Sequence, residues 1–422
     1  MSDSCERTKR VWSGSLLEDG ASINPESLGR NTHPSYRFRY VDVSSVDSGA
    51  IQWQGVRYNE FLTAPSRARR PVRPGDVIFG TVRPANRSHG WIPHHRGNLV
   101  VSTAFAVIRP DPGLLDSRFV FHFVMSDEMA AQARRAEVGT NYPAVNEADV
   151  GMFTVPVPPL PEQRRIAEIL DTVDEAIQGT EELIAKLEEM KKGLLHDLLT
   201  RGIDENGDLR DPERHPEQFK DSPLGQIPRA WGGPFRLDEL EERGVLGLGR
   251  GNVISTGDID EAPGPYPVYS SSAKGSGMFG RYGKYMFEEE LITWSIDGGG
   301  RPFYRPKHRY SVTNVCGYLR VTDNARWNCS FIHTSMEQQH AKITFDYQMK
   351  AHPSVIREMY WFARPNIEEQ HLIVGAQKAF SQRIASEKNV VRKLRSLRNA
   401  LMDDLLTGRV RVRVPEPEEA TA

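Results

Sequence analysis

Cysteine is scarce in this sequence, with only Cys5, Cys316 and Cys329 among 422 residues. Their spacing gives no disulfide framework and no zinc-binding quartet, which is typical of proteins from a reducing compartment. Long apolar runs are also missing, since the stretch from Leu99 to Ile108 is too short to cross a bilayer. The first residues lack the apolar core of a signal peptide. We therefore expect a cytoplasmic protein that does not enter a membrane.

A strong excess of charge of either sign is absent as well. The chain has 54 Lys and Arg residues against 56 Asp and Glu residues, for a formal net charge of −2. This balance argues against a histone-like binder of polyanions. A hydrophobic content of 38% is sufficient for buried cores and argues against a disordered chain. The length predicts two or three domains.

Signatures of catalysis are missing too. The sequence has no phosphate-binding P-loop, no H-E-x-x-H zinc motif, no nucleophile elbow and no NPP motif of adenine methyltransferases. Gly275, Gly277 and Gly280 match G-x-G-x-x-G, but the following RYGKYMF predicts a turn and a strand where a dinucleotide site needs a helix. His94 and His95 lack further metal ligands. We expect a recognition protein without a cofactor or metal of its own, rather than an enzyme.

The most informative feature that is present is an internal repeat. The segment 158–200 recurs as 365–407, with the same offset of 207 positions at both ends and no gap between them. Glu162 and Gln163 are among the residues that recur. Each copy follows a different segment of similar length. The chain therefore consists of a variable block, a repeated segment, a second variable block and the second repeated segment.

Both copies carry the apolar spacing of a coiled-coil helix. Apolar residues recur alternately four and three positions apart, which is the seam along which coiled-coil helices pack. Leu183, Met190, Val390 and Leu397 widen this stripe, which suits packing against a further partner. The helix-pairing residues are Ile166, Leu170, Val173, Ile177, Ile184, Leu187, Leu194 and Leu198 in the first copy, and Ile373, Phe380, Ile384, Val391, Leu394, Leu401 and Leu405 in the second.

Each copy predicts a helical rod of roughly 60 Å, because a helix rises about 1.5 Å per residue. Neither rod can bury its apolar stripe alone, so we expect the two rods to pack on each other. An antiparallel arrangement would put one variable block at each end. Two unrelated amphipathic helices in separate domains are the alternative, and the ungapped match of both ends argues against it.

The first variable block, from about residue 36 to 155, mixes short β-rich runs with a helical stretch around 119–136. Between Arg57 and Arg109, nine arginines oppose only two acidic residues. Arginine side chains fork onto phosphates and onto guanine edges. This bias favours a nucleic-acid surface over a merely solvated basic face.

The second variable block, from about residue 244 to 364, repeats this style. A predicted strand at Leu291–Ser295 leads into a glycine turn at 297–300 and a basic run, much as GDVIFG leads into TVRPANRSHG in the first block. Two diverged copies of one mixed fold are therefore expected, each with its own loop chemistry. Residues 203–243 are acidic and proline-rich, and we interpret them as a linker.

In these respects the chain resembles the specificity (S) subunit of type I restriction–modification systems. The resemblance rests on VPVPPLPEQRRIAEILDTVDEAI and LLHDLLTRGI in the first copy and on IEEQ and LMDDLLTGRV in the second. YPVYSSSAKGSG, LITWSIDGGG and GTNYPAVNEADV are similar to segments of the family's target-recognition domains. The resemblance covers nearly the whole chain. The start of the second copy, PNIEEQ, departs from the PPLPEQ pattern.

The resemblance implies an α+β fold in which two pseudo-repeated α/β target-recognition domains are joined by two long helices, packed as an antiparallel coiled coil. It divides the chain into recognition domain 1 (1–157), spacer helix 1 (158–202), a linker and lead-in (203–243), recognition domain 2 (244–364), spacer helix 2 (365–408) and a tail (409–422).

The resemblance also implies a non-catalytic subunit whose two domains read the halves of a bipartite, asymmetric target in double-stranded DNA. The implied partners are two modification (methyltransferase) subunits that use S-adenosylmethionine, and restriction (motor-nuclease) subunits that use ATP and Mg. Base-contacting residues vary within the family, so we choose candidates by side-chain chemistry. The candidates are Arg83, Arg87, Arg96, Asn98, Asn141, Tyr142, Lys274, Arg281, Lys284, Arg301, Arg305, Lys307 and Arg309.

Two alternatives stay open on the sequence alone. The same architecture could serve another methyltransferase–nuclease assembly. The chain could also be a coiled-coil scaffold whose end domains bind proteins and read no DNA.

Overall fold

The computed structural model describes residues 12–94, 97–139, 143–271, 277–343 and 350–414. The chain forms two compact units, of which unit 1 comprises residues 1–181 and 389–422 and unit 2 comprises residues 182–388. Each unit therefore contains one variable block, the beginning of the long helix that follows it, and the end of the other long helix.

The variable block of unit 1 contains mostly short strands. They are β1 (Gly14–Leu16), β2 (Ala21–Ile23), β3 (Arg37–Val41), β4 (Val46–Asp47), β5 (Ala50–Ile51), β6 (Arg57–Glu60), β7 (Ala68–Val72), β8 (Val77–Gly80), β9 (Gly90–Trp91), β10 (Leu99–Ser102), β11 (Phe105–Pro110) and β12 (Thr154–Pro156). The helices are α1 (Leu17–Gly20), α2 (Ser117–Val124), α3 (Asp127–Ala136) and α4 (Glu147–Gly151), and the long helix α5 (Leu160–Thr200) follows.

The chain of unit 2 before α10 has a similar succession, and its first elements lie within residues 203–243, the segment interpreted as a linker. Its strands are β13 (Phe219–Lys220), β14 (Ile227–Pro228), β15 (Gly232–Arg236), β16 (Leu246–Arg250), β17 (Tyr266–Tyr269), β18 (Met278–Tyr282), β19 (Leu291–Ser295), β20 (Pro302–Arg305), β21 (Ser311–Val312), β22 (Cys316–Val321) and β23 (Trp361–Arg364). Its short helices are α6 (Leu237–Glu242), α7 (Thr256–Glu261), α8 (Cys329–His340) and α9 (Pro353–Met359), and the long helix α10 (Ile367–Leu406) follows.

The two blocks share their sheet topology. An antiparallel core sheet has the strand order β2-β11-β8-β9 in unit 1 and β16-β22-β19-β20 in unit 2. A second sheet has the order β6-β3-β10-β7 in unit 1 and β18-β17-β21 in unit 2, and each contains one parallel pair, β3 with β10 and β17 with β21. The predicted duplication of one mixed α and β fold is confirmed.

The stretch predicted to be helical around 119–136 is helical, but it is divided. It consists of two helices, α2 and α3, separated at Met125 and Ser126. Ser126 ends the continuity because its backbone is extended and its Oγ accepts a hydrogen bond from the backbone N–H of Met129 at 3.2 Å. A serine in this position caps the second helix instead of continuing the first.

The hydrophobic core of unit 1 takes side chains from both long helices. Phe79 of the sheet and Phe119 of α2 pack in one cluster with Ile166 near the start of α5 and Leu405 near the end of α10. All four are nearly inaccessible to solvent. Burying one such side chain contributes roughly 1.5–3 kcal/mol, so both helix ends stabilise the block directly. In unit 2 the start of α10 and the end of α5 fill the equivalent places.

The predicted seam matches the burial of the two helices. Every helix-pairing residue named above is buried or half-buried, whereas the residues that widen the stripe remain exposed. The contacts also give the direction of pairing within each unit, because rising residue numbers on α5 meet falling numbers on α10. These contacts are Asp174 with Arg398 and Glu181 with Arg395 in unit 1, and Glu188 with Lys388 and Lys191 with Ser381 in unit 2. The helices are antiparallel, as predicted.

A buried glutamine attaches each block to its helix. In unit 1 the Gln163 side chain accepts a hydrogen bond from the backbone N–H of Asp116 at 2.7 Å. It donates to the carbonyl oxygens of Leu114 at 3.0 Å and Pro158 at 2.8 Å. Gln163 is 0% exposed, so these bonds replace the water that burial removes.

Gln370 makes the same three bonds in unit 2. It accepts from the backbone N–H of Asn328 at 2.8 Å and donates to the carbonyl oxygens of Arg326 at 2.9 Å and Pro365 at 3.0 Å. Asn328 and its unit 1 counterpart both cap the helix that follows. The recurrence of Gln163 207 positions later is therefore explained by a structural role.

The glutamate beside each glutamine binds the segment that follows the other long helix. Glu369 is 5% exposed and accepts hydrogen bonds from Arg210 Nη1 at 2.6 Å, Trp231 Nε1 at 3.1 Å and the backbone N–H of Ile203 at 2.7 Å. Part of the segment interpreted as a linker thus closes over the start of α10. Sequence inspection missed this contact.

Glu162 has the equivalent place in unit 1. Both of its carboxylate oxygens accept from Arg411 at 2.8 Å, and the Arg411 guanidinium lies 4.2 Å from the centre of the Trp12 ring. Trp12 Nε1, unlike Trp231 Nε1, is buried without a hydrogen-bond partner in the described part of the chain. Each glutamate therefore forms an ion pair with an arginine, but only Glu369 also accepts a hydrogen bond from a tryptophan.

This difference gives a matched pair of substitutions. We expect Trp231→Phe to lower the free energy of unfolding by about 1–2 kcal/mol beyond the loss from Trp12→Phe, because only Trp231 donates to a buried carboxylate. Chemical denaturation of both variants and the parent chain measures the difference. Equal losses would contradict a role for the Trp231 hydrogen bond.

Candidate nucleic-acid interface

Two loops occupy the same place in the two units. Loop 1 (residues 81–89) connects β8 to β9, and loop 2 (residues 296–301) connects β19 to β20. Each leaves an inner strand of its core sheet and returns along the strand at the edge of that sheet. Loop 1 carries two of the candidate arginines, and one candidate arginine ends loop 2.

Loop 1 contains two arginines in a backbone conformation that favours glycine. Arg83 has φ +49° and Arg87 has φ +51°, and the two flank a single 3-10 turn, Pro84–Asn86. A left-handed conformation costs a residue with a Cβ atom on the order of 1–2 kcal/mol. The surrounding structure holds it, since the backbone N–H of Arg83 donates to the Pro143 carbonyl at 2.8 Å and Pro84 is buried.

His89 fixes the far end of loop 1. Its ring stacks on Phe79 with 4.3 Å between centroids, and its Nδ1 accepts a hydrogen bond from the backbone N–H of Gly80 at 3.0 Å. Burial, with a smaller contribution from nearby Arg87, lowers the pKa of His89 to about 3. His89 is therefore neutral near pH 7 and serves as a packed support rather than as a cation for a phosphate.

Loop 2 also contains left-handed backbone, but at glycine residues. Gly299 has φ +81° and Gly300 has φ +71°. At Gly298 an added Cβ would come within 2.5 Å of the Ser295 Oγ, so the loop packs closely on the end of β19. Both loops thus contain left-handed residues, but these are arginines in loop 1 and glycines in loop 2.

Both loops are held by the chain that returns towards the long helix. The backbone N–H of Val145 donates to the Thr81 carbonyl at 2.9 Å in unit 1, and the backbone N–H of Ala351 donates to the Ile296 carbonyl at 2.8 Å in unit 2. In unit 2, Trp294 Nε1 also donates to the Ala351 carbonyl at 2.7 Å. Each loop is consequently attached at its base while its tip remains at the surface.

The candidates of the first block differ in their surroundings. Arg83 is exposed, and Arg87 is partly exposed and forms an ion pair with Asp127. Asn98 is exposed, and its Nδ2 donates to the Arg37 carbonyl at 3.0 Å. Arg96, Asn141 and Tyr142 lie outside the described residues. Arg83 and Arg87 are therefore the pair that the fold brings together.

In the second block the structure argues against one candidate. Arg305 is only 6% exposed, its Nε donates to Thr293 Oγ1 at 2.9 Å, and its guanidinium lies 3.7 Å from the centre of the Tyr269 ring. Burial lowers the pKa of Arg305. This side chain is part of the support beneath the surface, which corrects the expectation that it is presented to DNA.

The other candidates of the second block are at the surface. Arg301 ends loop 2, with its guanidinium 3.6 Å from a carboxylate oxygen of Glu337. Arg309 forms an ion pair with Glu288 at 3.1 Å and lies over the ring of Tyr285, an exposed aromatic residue that was not a candidate. The remaining exposed candidates are Arg281, Lys284 and Lys307, and Lys274 lies outside the described residues.

Sequence inspection also left Asn86 out of the candidates. It is exposed in the turn between Arg83 and Arg87, and an asparagine amide can bond both the N6 and N7 atoms of adenine. The position of Asn86 in the turn depends on the left-handed backbone of the residues on either side. Because those residues are not glycines, the sequence does not indicate this backbone conformation. Loop 1 therefore presents an amide between two guanidinium groups.

The described residues hold neither a cluster of three or more potential metal ligands nor a helix of the length and apolarity that a membrane span requires. What the geometry supplies is two loops, each anchored at its base, with exposed hydrogen-bonding groups. Such side chains suit the edges of bases and the phosphates of a nucleic acid.

Comparison with known families agrees with this geometry. The family model of the type I restriction modification DNA specificity domain matches residues 85–189 and 234–395. The two matched segments together cover more than half of the chain. They include most of loop 1, all of loop 2 and large parts of both long helices.

Three relatives are similar to this chain. At 22% identity, 93% of the chain aligns with 90% of a Methanocaldococcus jannaschii protein assigned as the MjaX type I restriction enzyme specificity subunit. At 26% identity, 42% of the chain aligns with 40% of the HindI specificity subunit of Haemophilus influenzae. At 29% identity, 29% of the chain aligns with 42% of a Mycoplasma pneumoniae protein assigned as a type I specificity subunit. In the last two cases the chain spans less than half of the relative.

Two solved structures share the fold. A chain from a study of complex assembly and conformational transition of the type I R-M system has a TM-score of 0.59, covering 94% of this chain and 98% of the other at 23% identity. The S subunit of a type I restriction-modification system from M. genitalium has a TM-score of 0.57, covering 95% and 97% at 14% identity. These likenesses concern the fold alone.

The strain of the left-handed backbone at Arg83 can be tested by measuring the stability of a glycine variant. We expect Arg83→Gly to leave the free energy of unfolding unchanged or to raise it by up to about 1 kcal/mol, because glycine adopts positive φ without strain. Arg57→Gly in strand β6 is the control, where glycine should destabilise by roughly 0.5–1 kcal/mol. Denaturant titration measures both. Equal losses in the two variants would contradict backbone strain at Arg83.

Proposed function

Because this chain belongs to the family of type I restriction modification DNA specificity domains, we propose that it is the DNA-reading subunit of a type I restriction–modification complex. Each unit reads one half of a bipartite, asymmetric target in double-stranded DNA. The chain itself catalyses no reaction. The observation that carries this proposal is the pair of equivalent loops, which are anchored in the same way and carry different side chains.

Loop 1 and loop 2 act as the reading elements. The fold supports them rigidly, so that little conformational freedom is lost when they enter a groove. Arg83 and Asn86 in loop 1, and Arg301 at the end of loop 2, contact base edges or phosphates. A well-placed bidentate contact to a base discriminates by about 1–3 kcal/mol, which is sufficient for selectivity when several act together. Different side chains on one scaffold account for an asymmetric target.

The long helices bind the modification subunits. The exposed apolar residues beside the seam (Leu183, Met190, Val390 and Leu397) supply the docking surface, since exposed apolar side chains on a helix suit burial against a partner. Two modification subunits methylate adenine with S-adenosylmethionine. Restriction subunits that use ATP and Mg join the same complex.

Exchange of one reading block tests the two-reader proposal. Residues 36–155 are replaced by the corresponding block of a relative, and the complex is reconstituted with its modification subunits. We expect one half of the methylated sequence to change and the other half to stay, because each block reads independently. Mapping of methylated adenine in a host genome measures this. A change in both halves would refute independent readers, and the absence of sequence-selective methylation would favour a protein scaffold.

Single substitutions test the loops themselves. We expect Arg83→Ala to weaken binding of the specific DNA by roughly 10–100-fold and to relax selection within one half of the target, whereas Arg301→Ala relaxes the other half. Lys192→Ala on α5 removes one positive charge as a control. Affinities are measured for targets with altered first or second halves at several salt concentrations, since phosphate contacts are salt-sensitive. Uniform weakening on all sequences would mean that the arginine contacts phosphate only.

A further inference from the structure

Two ion pairs between the long helices follow the internal repeat of the chain. The offset of 207 positions relates Glu181 to Lys388 and Glu188 to Arg395. Across the helices, Arg395 Nη2 lies 2.6 Å from Glu181 Oε1, and Lys388 Nζ lies 2.7 Å from Glu188 Oε1. These two ion pairs therefore occupy equivalent places in the repeat. Each joins an acidic residue of α5 to a basic residue of α10.

A helix packed in the same way against a copy of itself would meet like charges at these places. In an α5–α5 pair from two chains, Glu181 of each chain would face Glu188 of the other. In an α10–α10 pair, Lys388 of each chain would face Arg395 of the other. Opposite charges at positions flanking a coiled-coil seam set partner choice, and like charges oppose pairing.

Apolar contacts do not make this distinction. Leu405 and Leu406 at the end of α10 pack in the core of unit 1. The repeat relates them to Leu198 and Leu199 at the end of α5, and Leu198 packs in the core of unit 2. The end of α5 from a second chain would therefore bring leucines to the same places. Packing alone would accept a second copy.

The other polar contacts between the helices would also allow a second copy to pair. Asp174 pairs with Arg398, and Lys191 bonds Ser381. By the same repeat, Asp174 in an α5–α5 pair would face Lys191 of the second chain, which is again an attractive contact. The four residues Glu181, Glu188, Lys388 and Arg395 are thus where these interhelix contacts distinguish an α5–α10 pair from an α5–α5 or α10–α10 pair.

We propose that Glu181 and Glu188 on α5, opposed to Lys388 and Arg395 on α10, favour the pairing of α5 with α10 and exclude the pairing of either long helix with the same helix of a second copy of the chain. The four side chains are each roughly half exposed, so one pair alone is weak. Selection arises because an α5–α10 pair makes two attractive contacts, whereas an α5–α5 or α10–α10 pair would make repulsive contacts at the same places.

Exchanging one residue of each ion pair inverts this preference. In the full-length chain carrying Glu188→Lys and Arg395→Glu, both intrachain contacts become repulsive, whereas the α5–α5 and α10–α10 contacts between two chains become attractive. The matched control carries Glu181→Lys and Arg395→Glu. It has the same total charge and the same types of substitution, but both of its intrachain contacts stay attractive.

The measurement is the exchange of helices between chains. Two full-length copies with different affinity tags are co-expressed, and the fraction of protein that carries both tags is determined together with the mass in solution. We expect a mixed-tag fraction for Glu188→Lys with Arg395→Glu that is roughly tenfold above that of the control. It should fall again at about 1 M salt, where exposed charges are screened.

Every other outcome overturns the proposal. Equal mixed-tag fractions in the variant and the control would mean that these charges do not select the partner. Unfolding of the Glu188→Lys and Arg395→Glu chain without exchange would mean that the ion pairs stabilise the chain but do not choose between partners. Exchange that persists unchanged at about 1 M salt would assign it to packing rather than to charge.

Discussion

Each variable block completes its hydrophobic core only when two helix ends are present, the beginning of its own long helix and the end of the other one. In unit 1 these ends bring Ile166 and Leu405 into a single cluster with the sheet. In unit 2 they bring Ile373 and Leu198. Neither unit is therefore built from one continuous stretch of chain, and the pairing of the helices and the burial of the two cores are the same event.

This dependence explains why the segments after the helices are structural. A helix end that fills a distant core has to be followed by a turn, and Gly202 and Gly408 supply it with φ +66° and +73°. The chain then returns over the start of the antiparallel helix, where Arg210 or Arg411 meets a buried glutamate. A buried carboxylate without such a partner would be strongly destabilising, so the clamp and the helix pairing stabilise each other.

The sequence predicted the parts of this design that depend on periodicity. An ungapped repeat with heptad spacing was sufficient to predict the long helices, their seam and the duplication of the blocks, because those features depend on the spacing of residues along the sequence. Contacts between residues far apart in the chain were missed. Nothing near Arg411 indicates that it bonds Glu162, and the burial of Arg305 depends on a stack with Tyr269 that only the folded sheet creates.

In the candidate loops, too, some features could be predicted from the sequence and others could not. The strands on either side of them were predictable from apolar runs, and Leu291–Ser295 was predicted with the bounds that β19 has. The left-handed backbone at Arg83 and Arg87 was not, since arginine gives no local signal for positive φ. That conformation is held by Pro143, which lies far from the loop in the sequence, and by the buried Pro84 and His89 within the loop itself.

The duplicated halves are alike in packing and in buried glutamine hydrogen bonds and differ in charged contacts nearer the surface, and the physical cost of change explains why. Gln163 and Gln370 make the same three buried hydrogen bonds, and losing one would leave an unsatisfied group in a core. By contrast, Asp171 of α5 binds Arg118 and His122 in unit 1, where the repeat places the exposed Lys378 in unit 2. Burial alone would raise the pKa of Asp171, but the bonds from His122 and Arg118 outweigh it and hold the pKa at about 2.

Surface and half-buried charges can change at a cost of about 1 kcal/mol or less, whereas buried hydrogen bonds and apolar contacts cannot. A duplicated protein is therefore free to diverge in loops and flanking charges while its cores stay the same. In the proposed function, divergent loops allow the two units to read different DNA sequences, and the helix charges favour pairing of α5 with α10. Both proposals thus depend on one physical property, the tolerance of solvent-exposed polar groups to change on an apolar frame that both halves share.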